Sequence, residues 1–184
     1  PVLFDTISLK PYGSDVTSVA CNGDYLGATV IDSTGKLANG KVVFFNAKTL
    51  AFVSQVKVGP NPDMLIFTKD GKKVLVANEG EPLDYVIDPE GSVSIINISN
   101  GISNLTNSNV FKAGFSAFNN VSIDPKIKIT GKLVDSATKS TVVRNSTVAE
   151  DLEPEYIAVS EDSKTAWITC QENNCVAILD IDSQ

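Results

Sequence analysis

Apolar positions along the chain fall in short runs broken by turn residues, and no stretch keeps the three-to-four spacing of an amphipathic helix. Two segments align without gaps: residues 62–78, PDMLIFTKDGKKVLVAN, and residues 154–170, PEYIAVSEDSKTAWITC. Each reads as Pro, an acid, an apolar strand, a charged turn and a second apolar strand. A third strand follows each, at Val93–Ile98 and Val176–Ile181. The first two strands repeat at an offset of 92 residues and the third at 83, so the first copy carries nine extra residues around Glu81–Pro89. A weaker copy comes earlier, with strands at Val16–Cys21, Tyr25–Ile31, Val42–Asn46 and Phe52–Lys57. Asn22-Gly23-Asp24 and Asn46-Ala47-Lys48 supply its turns.

Repeats of roughly 40–50 residues with about four short antiparallel strands mark a β-propeller. The pattern predicts an all-β chain forming a partial propeller of about three four-stranded antiparallel blades. Blade one covers 14–58, blade two 59–115 and an incomplete blade three 150–184. Residues 116–149 form a polar insertion with an extra hairpin at Ile127–Val134 and Thr141–Arg144. A propeller protects its strand edges by closing into a ring. The expected partner is therefore the remaining blades, as a second chain or fragment.

Composition narrows the chemistry. The 184 residues are 42% hydrophobic, enough for a packed core, and no apolar run is long enough to span a bilayer. A net charge of −7 argues against nucleic acid, which selects a basic stripe. The absence of histidine removes Ser-His-Asp triads and His-ligated zinc. The chain opens on Pro1, not Met, as expected of a processed product. Sequons at Asn97, Asn104, Asn120 and Asn145 are candidate glycosylation sites, of which Asn97 falls in a predicted strand. Cys170 and Cys175 flank a four-residue polar turn, where facing positions of a hairpin either form a disulfide or remain two buried thiols. Cys21 is then the odd cysteine. Trp167 and Tyr156 lie in the strand pattern and read as core.

Several strings carry a family resemblance. Val58-Gly59, Pro62, Asp63, Asp70-Gly71-Lys72 and Val76-Ala77-Asn78 resemble the blade signature of YVTN-type propellers. The strings at 77–82 (ANEGEP), 88–92 (DPEGS), 149–158 (AEDLEPEYIA) and 171–174 (QENN) are similar to choice-of-anchor I proteins. That group includes mesenchyme-specific cell-surface glycoproteins and bacterial proteins labelled atypical alkaline phosphatases. The resemblance implies a longer, extracellular or surface-attached propeller. It also raises the odds of a specific Cys170–Cys175 bridge, because both positions depart from an aliphatic norm.

If the strands of a blade are ordered from the centre outwards, the connections from second to third strand, and from one blade to the next, open on one face. Asp32, Asp63, Glu79, Glu81, Asp84, Asp88, Glu90, Glu150, Asp151, Glu153, Glu155 and Glu172 fall there, twelve of the chain's 22 acids. A hard cation relieves the repulsion of such a gathering, and Ca²⁺ takes about six to eight oxygen ligands. The candidate ligands are Asn78, Glu79, Glu81, Asp88, Glu90, Glu153, Glu155 and Glu172. Asp63 and Glu155 have an alternative role, accepting backbone N–H bonds where their strands begin. The expected function is a non-catalytic structural or adhesive module with Ca²⁺ on its acidic face. The alternative is a Ca²⁺-dependent phosphoesterase, for which Lys41 and Arg144 are the nearby cations, and a third reading is an interaction propeller without metal.

Overall fold

In the computed structural model, residues 5–183 are described. Strands β1 (Val16–Cys21), β2 (Tyr25–Val30), β3 (Asn39–Asn46) and β4 (Phe52–Pro60) form one antiparallel sheet in chain order. Strands β5 (Pro62–Phe67), β6 (Lys73–Asn78), β7 (Ser92–Asn97) and β8 (Val110–Gly114) form a second. Strands β11 (Tyr156–Val159), β12 (Thr165–Cys170) and β13 (Cys175–Asp180) form a third, with three strands. Between the last two sheets lie a hairpin, β9 (Lys132–Val134) with β10 (Val142–Asn145), and the single helical turn α1 (Val148–Asp151). These meandering sheets, packed face to face, are successive blades of a partial β-propeller. No described helix is long and apolar enough to cross a membrane.

The middle blade shows why its sequence is apolar without alternation. Val74 and Val76 of β6 pack toward blade one, with Val42, Phe44, Val56 and Val58. Leu75 and Ala77 of the same strand pack toward blade three, with Ile157, Ala166, Ile168 and Ile181. A strand covered on both faces loses its polar positions. Blade three is covered on one face only. Ala166, Ile168 and Cys170 are buried, whereas Tyr156, Trp167, Val176 and Ile178 stand in solvent, Ile178 at 72% exposure. The expectation that Tyr156 and Trp167 are core residues is therefore corrected: both lie on the uncovered face, at 62% and 41% exposure.

The repeated charged turn has a repeated hydrogen-bond pattern. Thr68 Oγ1 donates to Asp70 Oδ1 (2.7 Å) and Ser160 Oγ to Asp162 Oδ1 (2.6 Å). The same carboxylates accept from Lys72 N and Lys164 N, each at 3.1 Å. Gly71 and Ser163 take the left-handed position of each turn, at φ 69° and 61°. The Ser163 hydroxyl also meets the Asp70 amide at 3.0 Å, joining the turns of adjacent blades.

The connection between blades one and two is shorter than the sequence suggested. β4 runs to Pro60 and β5 begins at Pro62, leaving Asn61 alone between them at φ 45°. Asp63 thus lies within β5 rather than in a loop. The insertion packs onto the β12–β13 hairpin through Ile127, Val148 and Ala149, with Phe115 and Leu152 at its flanks. α1 is closed by a capping box, with the Glu150 amide on Thr147 Oγ1 and the Thr147 amide on the Glu150 carboxylate.

Candidate functional site

The β6–β7, β12–β13 and blade-to-blade connections meet on one face around a cleft of about 360 Å³. Glu79, Glu81, Asp84, Asp151, Glu153 and Glu172 line it, with Tyr85, Thr130 and Asn173. Of the eight residues named from sequence, four therefore come together here: Glu79, Glu81, Glu153 and Glu172.

Glu79 follows the last residue of β6, and its Oε2 accepts from Asn61 Nδ2 at 2.6 Å. The same amide reaches Glu81 at 3.4 Å. Burial, reinforced by the charges of Glu81, Asp63 and Glu155, pushes Glu79 up to about 7. Glu153 is also pushed up to about 7, first by burial and then by Glu79, Asp88, Glu172 and Glu81. Its backbone N–H is held by Asn173 Oδ1 at 3.0 Å. Asp88 sits behind the cleft, its Oδ2 accepting from Ser146 Oγ at 2.7 Å and its Oδ1 buried without a partner. Burial raises it to about 6. Burial also raises Asp63 and Glu155, and Glu155 is raised further by Asp63 and Glu172. Among the described residues neither of these two carboxylates accepts a backbone N–H, so the strand-start role is corrected. Their raised values fit that, because an accepted N–H favours the ionised form.

Asn78 and Glu90 do not join the cleft. Asn78 is fully buried, accepting from Gly59 N at 2.9 Å and donating to Ser92 and to Ser94 Oγ. A Cβ on Gly59 would lie 2.6 Å from that side chain, so the glycine gives the amide its room. Glu90 lies outside, paired with Lys112 at 3.1 Å.

Asp151 anchors the insertion, its carboxylate accepting from Thr130 N (2.9 Å) and Gly131 N (2.7 Å). Asn173 Nδ2 donates to the carbonyls of Asp151 and Lys128, fastening the β12–β13 turn to the same place.

The cations near the face are committed to carboxylates. Lys36 pairs with Glu81 at 2.7 Å and Lys139 with Asp84 at 2.9 Å. Arg144 makes a fork with Glu150 at 2.7 and 2.6 Å, holding that acid down at about 2. Lys41 reaches the Tyr12 carbonyl at 3.0 Å and Asp32 at 3.9 Å. Lys36 and Asn61 were not legible as site residues, since both sit in loops where the sequence reads only turn chemistry.

Among the described residues the acids surround the cleft without three or more His, Cys, Asp or Glu side chains converging as a ready ligand set. Elsewhere, Asn104, Asn120 and Asn145 are exposed, while Asn97 is half-buried as the last residue of β7. Cys170 and Cys175 are direct cross-strand partners, and both are free thiols, as is exposed Cys21. Burial pushes Cys170 up to about 12 and raises Cys175.

Comparison with solved structures finds likeness at low identity. The chain is similar to hydrazine synthase of Kuenenia stuttgartiensis (16% identity, TM-score 0.51), covering 90% of this chain and 39% of that one. It is also similar to a eukaryotic initiation factor (17% identity, TM-score 0.52), covering 97% of this chain and 32% of that one. At these identities the likeness concerns the fold alone, and the chain spans about a third to two-fifths of those proteins' length. No curated protein matches it. The model of the choice-of-anchor I domain matches residues 1–184, and the chain belongs to that family.

Proposed function

We propose that this chain is a non-catalytic β-propeller module of a secreted or surface-attached protein, with a structural or adhesive role in an extracellular assembly and Ca²⁺ taken up at its acidic cleft. The observation that carries the Ca²⁺ reading is the cleft's electrostatics. Glu79 and Glu153 are both raised to about 7, first by burial, and the Glu79 charge acts on Glu153. Every charge acting strongly on Glu153 is acidic. Carboxylates in that condition either keep a proton or take a cation. The donors are oxygen only, which suits a hard cation such as Ca²⁺ over a transition metal. Glu79, Glu81, Glu153 and Glu172, which line the cleft, would hold it.

Lys36, Lys139 and Arg144 each close on a carboxylate, which weighs against the phosphoesterase alternative, since that chemistry needs cationic groups turned to a phosphate. The uncovered face of blade three supports the second part of the reading. Tyr156, Trp167, Val176 and Ile178 form an apolar surface of the kind that adjacent blades cover in the middle of the chain. Further blades are the partner this surface fits.

Thermal unfolding with Ca²⁺ and with chelator tests the cleft. The expected result is a Ca²⁺-dependent rise in Tm that Glu79→Gln together with Glu153→Gln removes. A rise of the same size in the double variant would place the cation elsewhere.

A further inference from the structure

Cys170 ends β12 and Cys175 begins β13, and the two are paired directly in the antiparallel register. Residues opposed in this way hold their Cβ atoms about 4.5–5.5 Å apart, against roughly 3.5–4.5 Å in a disulfide. A small approach of the strand ends therefore suffices to bridge them. Both line a surface groove with Gln171, Asn174 and Val176, but Cys170 is fully buried whereas Cys175 is half-buried. Cys175 is thus the sulfur that a reagent from solution meets first. The third cysteine, Cys21, lies at the end of β1 in another blade.

The turn between the paired cysteines is part of the cleft. Glu172 lines it, and Asn173 ties together Lys128, Asp151 and Glu153. We propose that Cys170 and Cys175 form a thiol-oxidation site whose oxidant is a low-molecular-weight disulfide, and that the resulting bond clamps the Gln171–Asn174 turn against the acidic cleft. The Cys175 sulfur, on losing its proton, attacks one sulfur of the small disulfide, forming a mixed disulfide and expelling one small thiolate. The Cys170 thiol, set beside Cys175 by the strand register, gives up its proton as its sulfur attacks Cys175 Sγ, and the second small thiolate leaves. The protein gives up two electrons and two protons, and the small disulfide becomes two thiols. The clamp does not depend on whether the cleft takes a cation.

The test uses a Cys21→Ser chain and, in parallel, the unaltered chain, so that any failure of the variant to fold leaves the second arm intact. Each is incubated with oxidised glutathione, quenched with an alkylating reagent and mapped by mass spectrometry. The expected result is a Cys170–Cys175 cross-linked peptide in monomeric protein, with no retained glutathione. Hydrogen exchange at 171–174 then slows by roughly tenfold or more relative to the reduced chain. A glutathione adduct that persists on Cys175, a bond to Cys21, or both thiols remaining open to alkylation would overturn the site. A bond that forms without slowing exchange at 171–174 would overturn the clamp.

Discussion

Glu79 and Glu153 set the electrostatic character of the cleft, and their signs give a pH dependence. Each has a folded value near 7, above the ordinary glutamate value of 4.5. The folded state therefore holds protons that the unfolded chain releases, and stability falls as pH rises through the window between about 4.5 and 7. Asp88, raised to about 6 from 3.8, adds to the lower part of that fall. Glu150, held down at about 2, acts in the opposite sense, but only below its ordinary value of 4.5. Melting curves in chelator at pH 5 and pH 8 check this, with a lower Tm expected at pH 8. Glu79→Gln and Glu153→Gln should each raise the pH 8 value and flatten the slope. Unchanged slopes would mean that neither carboxyl is held protonated. The acids themselves were legible in the sequence as a crowd on one face. Their burial was not, because it arises where segments far apart in the chain meet, as Asn61 meets Glu79 and Asn173 meets the Glu153 amide.

At the scale of the elements, the strands follow from the alternation and length of the apolar runs, and the middle blade's unbroken runs follow from coverage on both faces. What the sequence concealed lies at strand ends. Asn78 looked like a free amide beside an acidic loop, yet it is a buried latch joining β4, β6 and β7. Asn78→Ala should cost about 2–3 kcal/mol, because it leaves Gly59 N and the Ser92 and Ser94 hydroxyls without their partner. Denaturant unfolding measures it, and a loss under about 0.5 kcal/mol would show the amide to be dispensable. Gly59→Ala should destabilise through the same contact, since its Cβ meets the Asn78 side chain at 2.6 Å. Gly131 is constrained similarly: a Cβ there would lie 2.1 Å from Asp151 Oδ1. Gly131→Ala should therefore loosen the insertion, seen as faster hydrogen exchange over 130–146.

For the whole molecule, the decisive asymmetry is between the covered faces of the middle blade and the bare face of blade three. Ile178→Lys should change the stability of this chain by less than about 0.5 kcal/mol, because the side chain is 72% exposed. In a longer family protein the same change should be strongly destabilising if a further blade covers that face, and equal effects in the two contexts would remove the argument for further blades. The repeat made the blades legible. The need for further blades was legible with them, but the place of Trp167 and Tyr156 on the bare face was not, because Val176-Ala177-Ile178-Leu179 has the composition of a strand covered on both sides. The central functional claim is that the acidic cleft takes Ca²⁺, and isothermal titration calorimetry at pH 8 tests it most directly. The account predicts saturable binding of Ca²⁺ that disappears in the chain carrying both Glu79→Gln and Glu153→Gln. No heat of binding in the folded, unaltered chain would contradict it and leave the cleft as a cluster of carboxylates without a bound cation.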